Sequence, residues 1–233
     1  MKKFATVLVF LVAFLPTVFA QDDDEDWAGE TYDIKNFSSI YLHGGYRVFL
    51  SQGDRPGLTV KTSNADVLDN LNVENRGSQL RLEMQKDFIT YKRIRLYITF
   101  THLDEILAEG GLKLRSDGYL DLDDLNLHIE GGASVRLQMK ADDVRVSGEG
   151  GVLIYLDGIA DRLEVLLSGA GHVDASELKT KNASVEIEGV GTGSVYATEK
   201  LFAKIEGLGK ISYKGDPEVV QAINGLGTVR RYK

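Results

Sequence analysis

The 233-residue chain contains no cysteine, three prolines, four histidines and one tryptophan. Without cysteine there is no disulfide framework, no thiolate metal site, no thiol nucleophile and no anchor for a bacterial lipid. Lys and Arg total 27 against 35 Asp and Glu, a net charge of −8, so the overall basicity of a nucleic-acid binder is missing. Long hydrophobic runs are also missing, except near the start. There Lys2 and Lys3 precede an apolar run from Phe4 to Phe19, short for a bilayer span of about 20 residues. A charged start, a short apolar stretch and Ala20 at its boundary read as a signal peptide over 1–20. The mature chain is therefore expected to carry no transmembrane segment and to be exported, to the periplasm or the outer surface. Residues 21–33 begin QDDDED, and mutual repulsion predicts a solvated, disordered leader. The run has no glycine turn or closing Glu to make a calcium loop.

Glycine is abundant, with 25 residues, and it falls on a beat. From Ile34 onward apolar residues alternate with period two, as in Ser39–Leu42, Tyr46–Leu50, Gly57–Thr62, Gln79–Met84 and Ile94–Phe100, which predicts strands. Asn64–Asn70 and Thr101–Leu107 are the two stretches with helical character, each too short to stand alone. Beyond residue 105 an internal repeat emerges. Its leading glycines are Gly110, Gly131, Gly148, Gly169, Gly189, Gly207 and Gly225, preceded two positions earlier by Ala108, Ile129, Val146, Leu167, Ile187, Ile205 and Ile223. A second glycine follows at Gly150, Gly171, Gly191, Gly209 and Gly227.

No such unit can bury its apolar side alone, and stacking successive units gives one continuous inner column. The expected fold is all-β: a single-stranded β-helix or β-solenoid of about 20-residue rungs. It would form one domain over 34–233, less regular over 34–105 and glycine-cornered over 106–233. A β-sandwich also has short strands at regular intervals, but the aligned glycines favour the solenoid. Two extra residues between Gly189 and the next apolar position, Val195, predict a bulge or longer turn there.

Phe37-Ser38-Ser39-Ile40 with Gly44-Gly45-Tyr46-Arg47-Val48 resembles the opening of the putative auto-transporter adhesin head GIN domain family. Ile94–Phe100, Leu103-Asp104-Glu105-Ile106, the glycine corners, Tyr213-Lys214-Gly215-Asp216-Pro217 and Ile223-Asn224-Gly225-Leu226-Gly227 fit the same family. The resemblance spans about residues 34–229. It implies a bacterial, Bacteroidetes-like exported protein with a β-helical fold. It brings no catalytic residues, since the family's function is unassigned.

The residue before each leading glycine is Glu109, Glu130, Ser147, Ser168, Glu188, Glu206 or Asn224. In-register stacking would make these an outer polar ladder. A hydrated face is the plain reading. Glu109, Glu130, Glu188, Glu206 and Asn224 are the candidates for binding a cation or a polar glycan. Paired catalytic carboxylates need one group of raised pKa, and exposed Glu residues supply no burial to raise it. The histidines His43, His102, His128 and His172 show no metal-ligand spacing. Gly169-Ala170-Gly171 and Gly189–Gly193 open no helix and lack the Lys-Ser/Thr of a phosphate loop. Asp174 alone echoes a calcium-binding repeat. Arg76, Arg81, Lys86, Lys92, Arg93 and Arg95, with Tyr91 and Tyr97, form the one basic stretch. They are expected on outer strand faces, where an acidic glycan or a neighbouring Glu ladder would meet them, and where exposed rings would favour sugar stacking.

Three functions follow as expectations. The first is a non-catalytic envelope protein whose elongated β surface binds a glycan or another protein, with no metal, cofactor or nucleic acid. The second is a polysaccharide-active enzyme on a β-helix, and the third a structural or assembly component.

Overall fold

The computed structural model describes residues 27–85 and 94–232. The expected signal peptide, the acidic run 21–26, and Lys86, Tyr91, Lys92 and Arg93 lie outside the described residues. The order of elements is β1 (Ala28–Tyr32), β2 (Ser39–Gln52), β3 (Gly57–Thr62), helix α1 (Asp66–Asn70), β4 (Leu71–Arg76), β5 (Gln79–Met84) and β6 (Ile94–Phe100). Then come β7 (Glu105–Ser116), β8 (Leu120–Asp121), β9 (Asp124–Lys214) and β10 (Glu218–Arg231). The chain is all-β, with one large mixed sheet in the order β1-β3-β6-β2-β7-β9-β10 that does not close on itself. No described helix is long and apolar enough to cross a membrane.

β2 pairs only in parallel, and antiparallel and parallel pairing meet on its neighbours β5 and β6. On one edge its first half pairs with β5 and its second half with β6, and on the other β7 runs parallel to it from Ser39 to Leu50. The β4–β5 and β3–β6 pairs, with β1 outside β3, are antiparallel. β1 corrects the leader expected over 21–33, because Ala28–Tyr32 is paired strand. Of the two helical stretches only Asp66–Asn70 is helical, and Glu105–Leu107 already belongs to β7.

From β7 onward neighbouring segments are parallel. Ile40 lies beside Ile106 and Ile106 beside Leu127, while Leu42, Ala108 and Ile129 form the next row inward along the strands. All six are buried. Glycines stack in the same way. A methyl placed on Gly131 would lie 2.6 Å from the Gly110 carbonyl oxygen, and one on Gly150 the same 2.6 Å from that of Gly131. With φ of +117° and +105°, both positions are closed to ordinary L side chains.

The stack comprises Gly44, Gly110, Gly131, Gly150, Gly169, Gly189, Gly207 and Gly225. Gly148, the expected corner, is not in it. Gly148 has no positive φ, is buried and points at Val152. The shift has a packing cause. Two residues before and two after each stacked glycine from Gly110 to Gly207, both side chains enter one core space. That space holds Ala108 with Leu112, Ile129 with Ala133, Gly148 with Val152, Leu167 with Gly171, Ile187 with Gly191, and Ile205 with Gly209. Each of these six pairs has one bulky and one small member, as close packing with volume for one requires, while the first corner, at Gly44, is wider and buries both Leu42 and Tyr46. Gly148 is the small partner of Val152, and an apolar-periodicity alignment slips by two there. The ladder member of that unit is consequently Glu149 rather than Ser147.

The bulge or longer turn expected after Gly189 is not formed. Gly207 stacks on Gly189 and Gly215 on Ala197 with the same offset, so nothing is inserted between. Gly193 occupies the inward place that Ile211 takes in the next segment.

Candidate functional site

Outward-facing positions at fixed distances after the stacked glycines form rows across the sheet. In the first row Lys61 lies beside Arg95, Arg95 beside Arg47, Arg47 beside Lys113, and Lys113 beside Ser134. In the second, Tyr97 lies beside Phe49, Phe49 beside Arg115, and Arg115 beside Arg136. Alternation sends both rows to the same outer face. They line an open groove of about 450 Å³ to which Arg47, Arg95, Lys113, Arg115 and Arg136 contribute, with Asp117 the one acidic lining residue among the described residues.

The aromatic rings organise the cations. Phe49 and Tyr97 stack with centroids 4.8 Å apart and planes 9° from parallel. The Arg115 guanidinium caps the other side of Phe49 at 4.4 Å, and the Lys61 ammonium sits 5.6 Å from the Tyr97 ring. Arg136 covers Tyr155 at 5.0 Å, and Tyr155 meets His172 edge-on at 5.8 Å. Arg95, only 7% exposed, lies 4.2 Å from the Trp27 ring. The faces of Phe49 and Tyr97 are therefore occupied by each other and by cations, so these two rings offer no platform for sugar stacking. Each such contact stabilises an exposed cation by about 0.5–1 kcal/mol. Like charges on strands whose backbones lie about 4.8 Å apart would repel by roughly 1 to 3.5 kcal/mol, between aqueous and protein-surface dielectrics, if their tips kept that spacing.

No carboxylate relieves that repulsion for four of the five. Among the described residues Arg47, Lys113, Arg115 and Arg136 make no salt bridge. Elsewhere the sheet pairs its charges. Asp143 bridges Arg145 and Arg162 at 3.3 and 2.9 Å, Lys181 meets Asp161 at 2.8 Å, and Lys204 joins Glu186 and Glu206.

The polar ladder lies on a different part of the surface. Glu109 stands beside His43 and Glu130, and Asn224 beside Glu206. Its members have local partners: His43 Nδ1 is 3.1 Å from Glu109, His128 Nε2 3.1 Å from Glu130, Ser168 donates to Glu188 at 3.4 Å, and Lys204 is 2.9 Å from Glu206. Hydrogen bonds from His43 and then Tyr41 hold the Glu109 carboxyl below its ordinary pKa, opposite to what a general acid requires. The other two histidines pair singly, His102 with Asp104 at 2.6 Å and His172 with Thr192 at 2.6 Å.

The expected basic stretch divides. Arg76 and Arg81 are bonded to Glu74 and Glu83 at 2.8 and 2.7 Å, while Arg95 and Tyr97 join the cationic face. Arg47, Lys113, Arg115 and Arg136 were not singled out from the sequence. Their signal is the glycine register extended back to Gly44. Arg47 and Lys113 follow a stacked glycine by three positions, Arg115 and Arg136 by five.

The family model described as "Putative auto-transporter adhesin, head GIN domain" matches residues 36–217. The chain belongs to this family. The head GIN domain fold is shared by solved structures of low identity. A crystal structure described as a putative adhesin from Bacteroides fragilis has a TM-score of 0.80 at 23% identity, over 89% of this chain and 98% of that one. One described as a putative lipid binding protein from Parabacteroides distasonis has a TM-score of 0.71 at 22% identity, over 90% and 98%. A putative adhesin from Parabacteroides merdae has a TM-score of 0.71 at 19% identity, with the same coverage of 90% and 98%. Among curated proteins no match was found.

Proposed function

We propose that the chain is an exported, non-catalytic binding protein of the bacterial envelope, adhesin-like in the sense its family name carries. Its parallel segments are the turns of a β-solenoid whose outer surface engages a partner at the periplasm or the outer face of the cell. The cationic face carries this reading. Five cations converge on an open groove of an acidic chain, and four of them have no carboxylate partner among the described residues, an arrangement that costs folding energy and favours an anionic partner. A catalytic reading on the polysaccharide of a β-helix draws no support from Glu109, whose carboxyl is held charged. Glu109, Glu130, Glu149, Glu188, Glu206 and Asn224 serve as a solvated outer row. Co-sedimentation of the purified protein with isolated envelope material tests the proposal. Saturable micromolar binding is expected, and a protein left wholly in the supernatant would overturn it.

A second reading, assembly between copies, is favoured by β10. It pairs only with β9 among the described residues, and Val220 and Leu226 on it are 55% and 75% exposed, the marks of an unguarded edge. Light scattering over a concentration series decides it: a mass rising toward a dimer supports edge pairing, and a constant monomer mass removes it.

A further inference from the structure

We propose that the cationic face binds a polyanionic polysaccharide, one bearing carboxylate or sulfate groups along its length, laid across the strands. This rests on the reading of the chain as a binding protein and names the ligand chemistry. Three features select it. First, the cations recur one per strand: Lys61, Arg95, Arg47 and Lys113 stand side by side on β3, β6, β2 and β7, and of these Lys61, Arg47 and Lys113 are accessible while Arg95, 7% exposed, contributes charge from beneath the surface. A polymer with a repeating anion meets such a row in register, whereas a single small anion uses one or two of its members.

Second, the guanidinium groups are held in place. Arg115 sits over Phe49 at 4.4 Å and Arg136 over Tyr155 at 5.0 Å, which restrains both side chains, and no described carboxylate engages either guanidinium, so their N–H groups can make two-pronged bonds to a carboxylate or sulfate. Rings that restrain the side chains reduce the ordering entropy that binding must overcome. Third, the same stacking argues against other polyanions. Single-stranded nucleic acid is held by bases stacked on open aromatic faces, and here those faces are covered. An anionic membrane is held by charge together with inserted apolar groups, and the residues that line this groove are chiefly charged.

The test measures binding of the purified protein to heparin (sulfated), polygalacturonate (carboxylated), neutral dextran and phosphatidylglycerol vesicles. It compares the wild type with Arg115→Ala/Arg136→Ala and with Lys179→Ala/Lys200→Ala, which removes equal charge from exposed positions off the groove. At least one charged polysaccharide is expected to bind and dextran not to bind. The arginine pair should weaken binding about tenfold or more and flatten its salt dependence by about one to two counterions. The lysine pair should shift it by less than about twofold. Arg115→Lys/Arg136→Lys, which keeps charge but loses the fork geometry, should fall between. Equal losses in the arginine and lysine variants, undiminished binding in the arginine variant, or binding to vesicles alone would overturn the proposal. Because both variants are also tested against envelope material, the outcomes separate. Full envelope binding by the arginine variant sinks the ligand assignment and leaves the binding function standing, while absent wild-type binding sinks the function itself.

Discussion

Gly148 and Val152 offer a direct test of how the core is filled. Across their corner one bulky and one small side chain share a space, and the next segment holds the same space with the order reversed, as Leu167 and Gly171. Val152 is 2% exposed. Val152→Gly removes three buried carbons at about 0.8 kcal/mol each and adds about 0.5–1 kcal/mol of backbone entropy, roughly 3 kcal/mol in total. Gly148→Leu is destabilising for the opposite reason. Its first added carbon would stand 2.9 Å from Val152 Cγ2, and overpacking of that kind costs about 1–3 kcal/mol. Independent effects would make the double variant about 5 kcal/mol less stable than the wild type. If the two positions share one volume, the new leucine fills the space the valine leaves. The double variant then falls within about 1–2 kcal/mol of the wild type, a coupling of about 3 kcal/mol. Urea denaturation of the four proteins, followed by far-ultraviolet circular dichroism, measures the cycle. Costs that add to within about 0.5 kcal/mol would refute the shared-volume account.

Gly150→Ala places a methyl 2.6 Å from a backbone oxygen at φ +105° and should cost about 3 kcal/mol in the same denaturation assay. Gly132→Ala, with nothing within 4 Å of its new methyl, should stay within about 0.5 kcal/mol. The Glu109 carboxyl, titrated by carbon NMR, should show a midpoint below the ordinary carboxylate value and return upward in His43→Ala; an unchanged midpoint would remove the hydrogen bond as its cause. Because the folded pKa is the lower one, that bond stabilises the fold above the ordinary carboxylate range, and its contribution is lost as pH falls through the lowered value. Lys113→Gln, which relieves repulsion beside Arg47, should raise stability by up to about 1 kcal/mol at low salt, fading at about 1 M salt. A loss of stability at low salt would show that the row is not held at a cost.

Much of the architecture was legible because period-two alternation reports which residues face a core. The runs at Gly57–Thr62, Gln79–Met84 and Ile94–Phe100 are strands as expected, since each buries alternate side chains. β1 was hidden by composition: AGETY is mostly exposed and is strand only because β3 offers it an edge. The corner at Gly150 was misplaced because an apolar pattern cannot tell which of two inward positions a glycine has vacated. That depends on Val152 across the corner, a tertiary fact. The cationic face was half legible. Arg95 and Tyr97 stood in a visible basic stretch, whereas Arg47, Lys113, Arg115 and Arg136 are scattered over 90 residues of sequence and meet only through strand register.

The same register explains why charge is sorted into rows. Where segments stack in parallel, every position at a fixed distance from the stacked glycine lies over its counterpart, so a residue type repeated at that distance becomes a line of like groups. Lines of like charge are unfavourable, and this protein offsets them in two ways. One is alternation of sign, as where Lys204 stands between Glu186 and Glu206 or Asp143 between Arg145 and Arg162. The other, on the face built on β2, β6, β7 and the first part of β9, is to slot aromatic rings among cations that have no carboxylate partner among the described residues, whereas Arg81 over Tyr41 and Lys214 near Tyr232 combine a ring with a Glu partner. Alternation cancels most of the field outside the sheet. Rings stabilise the cations without neutralising them, so the positive potential persists into solvent and reaches an approaching anion. Folding alone would be served better by the first solution, which the neighbouring segments already use. The choice of the second at one face, in a chain of net charge −8, is what ties that face to binding rather than to stability.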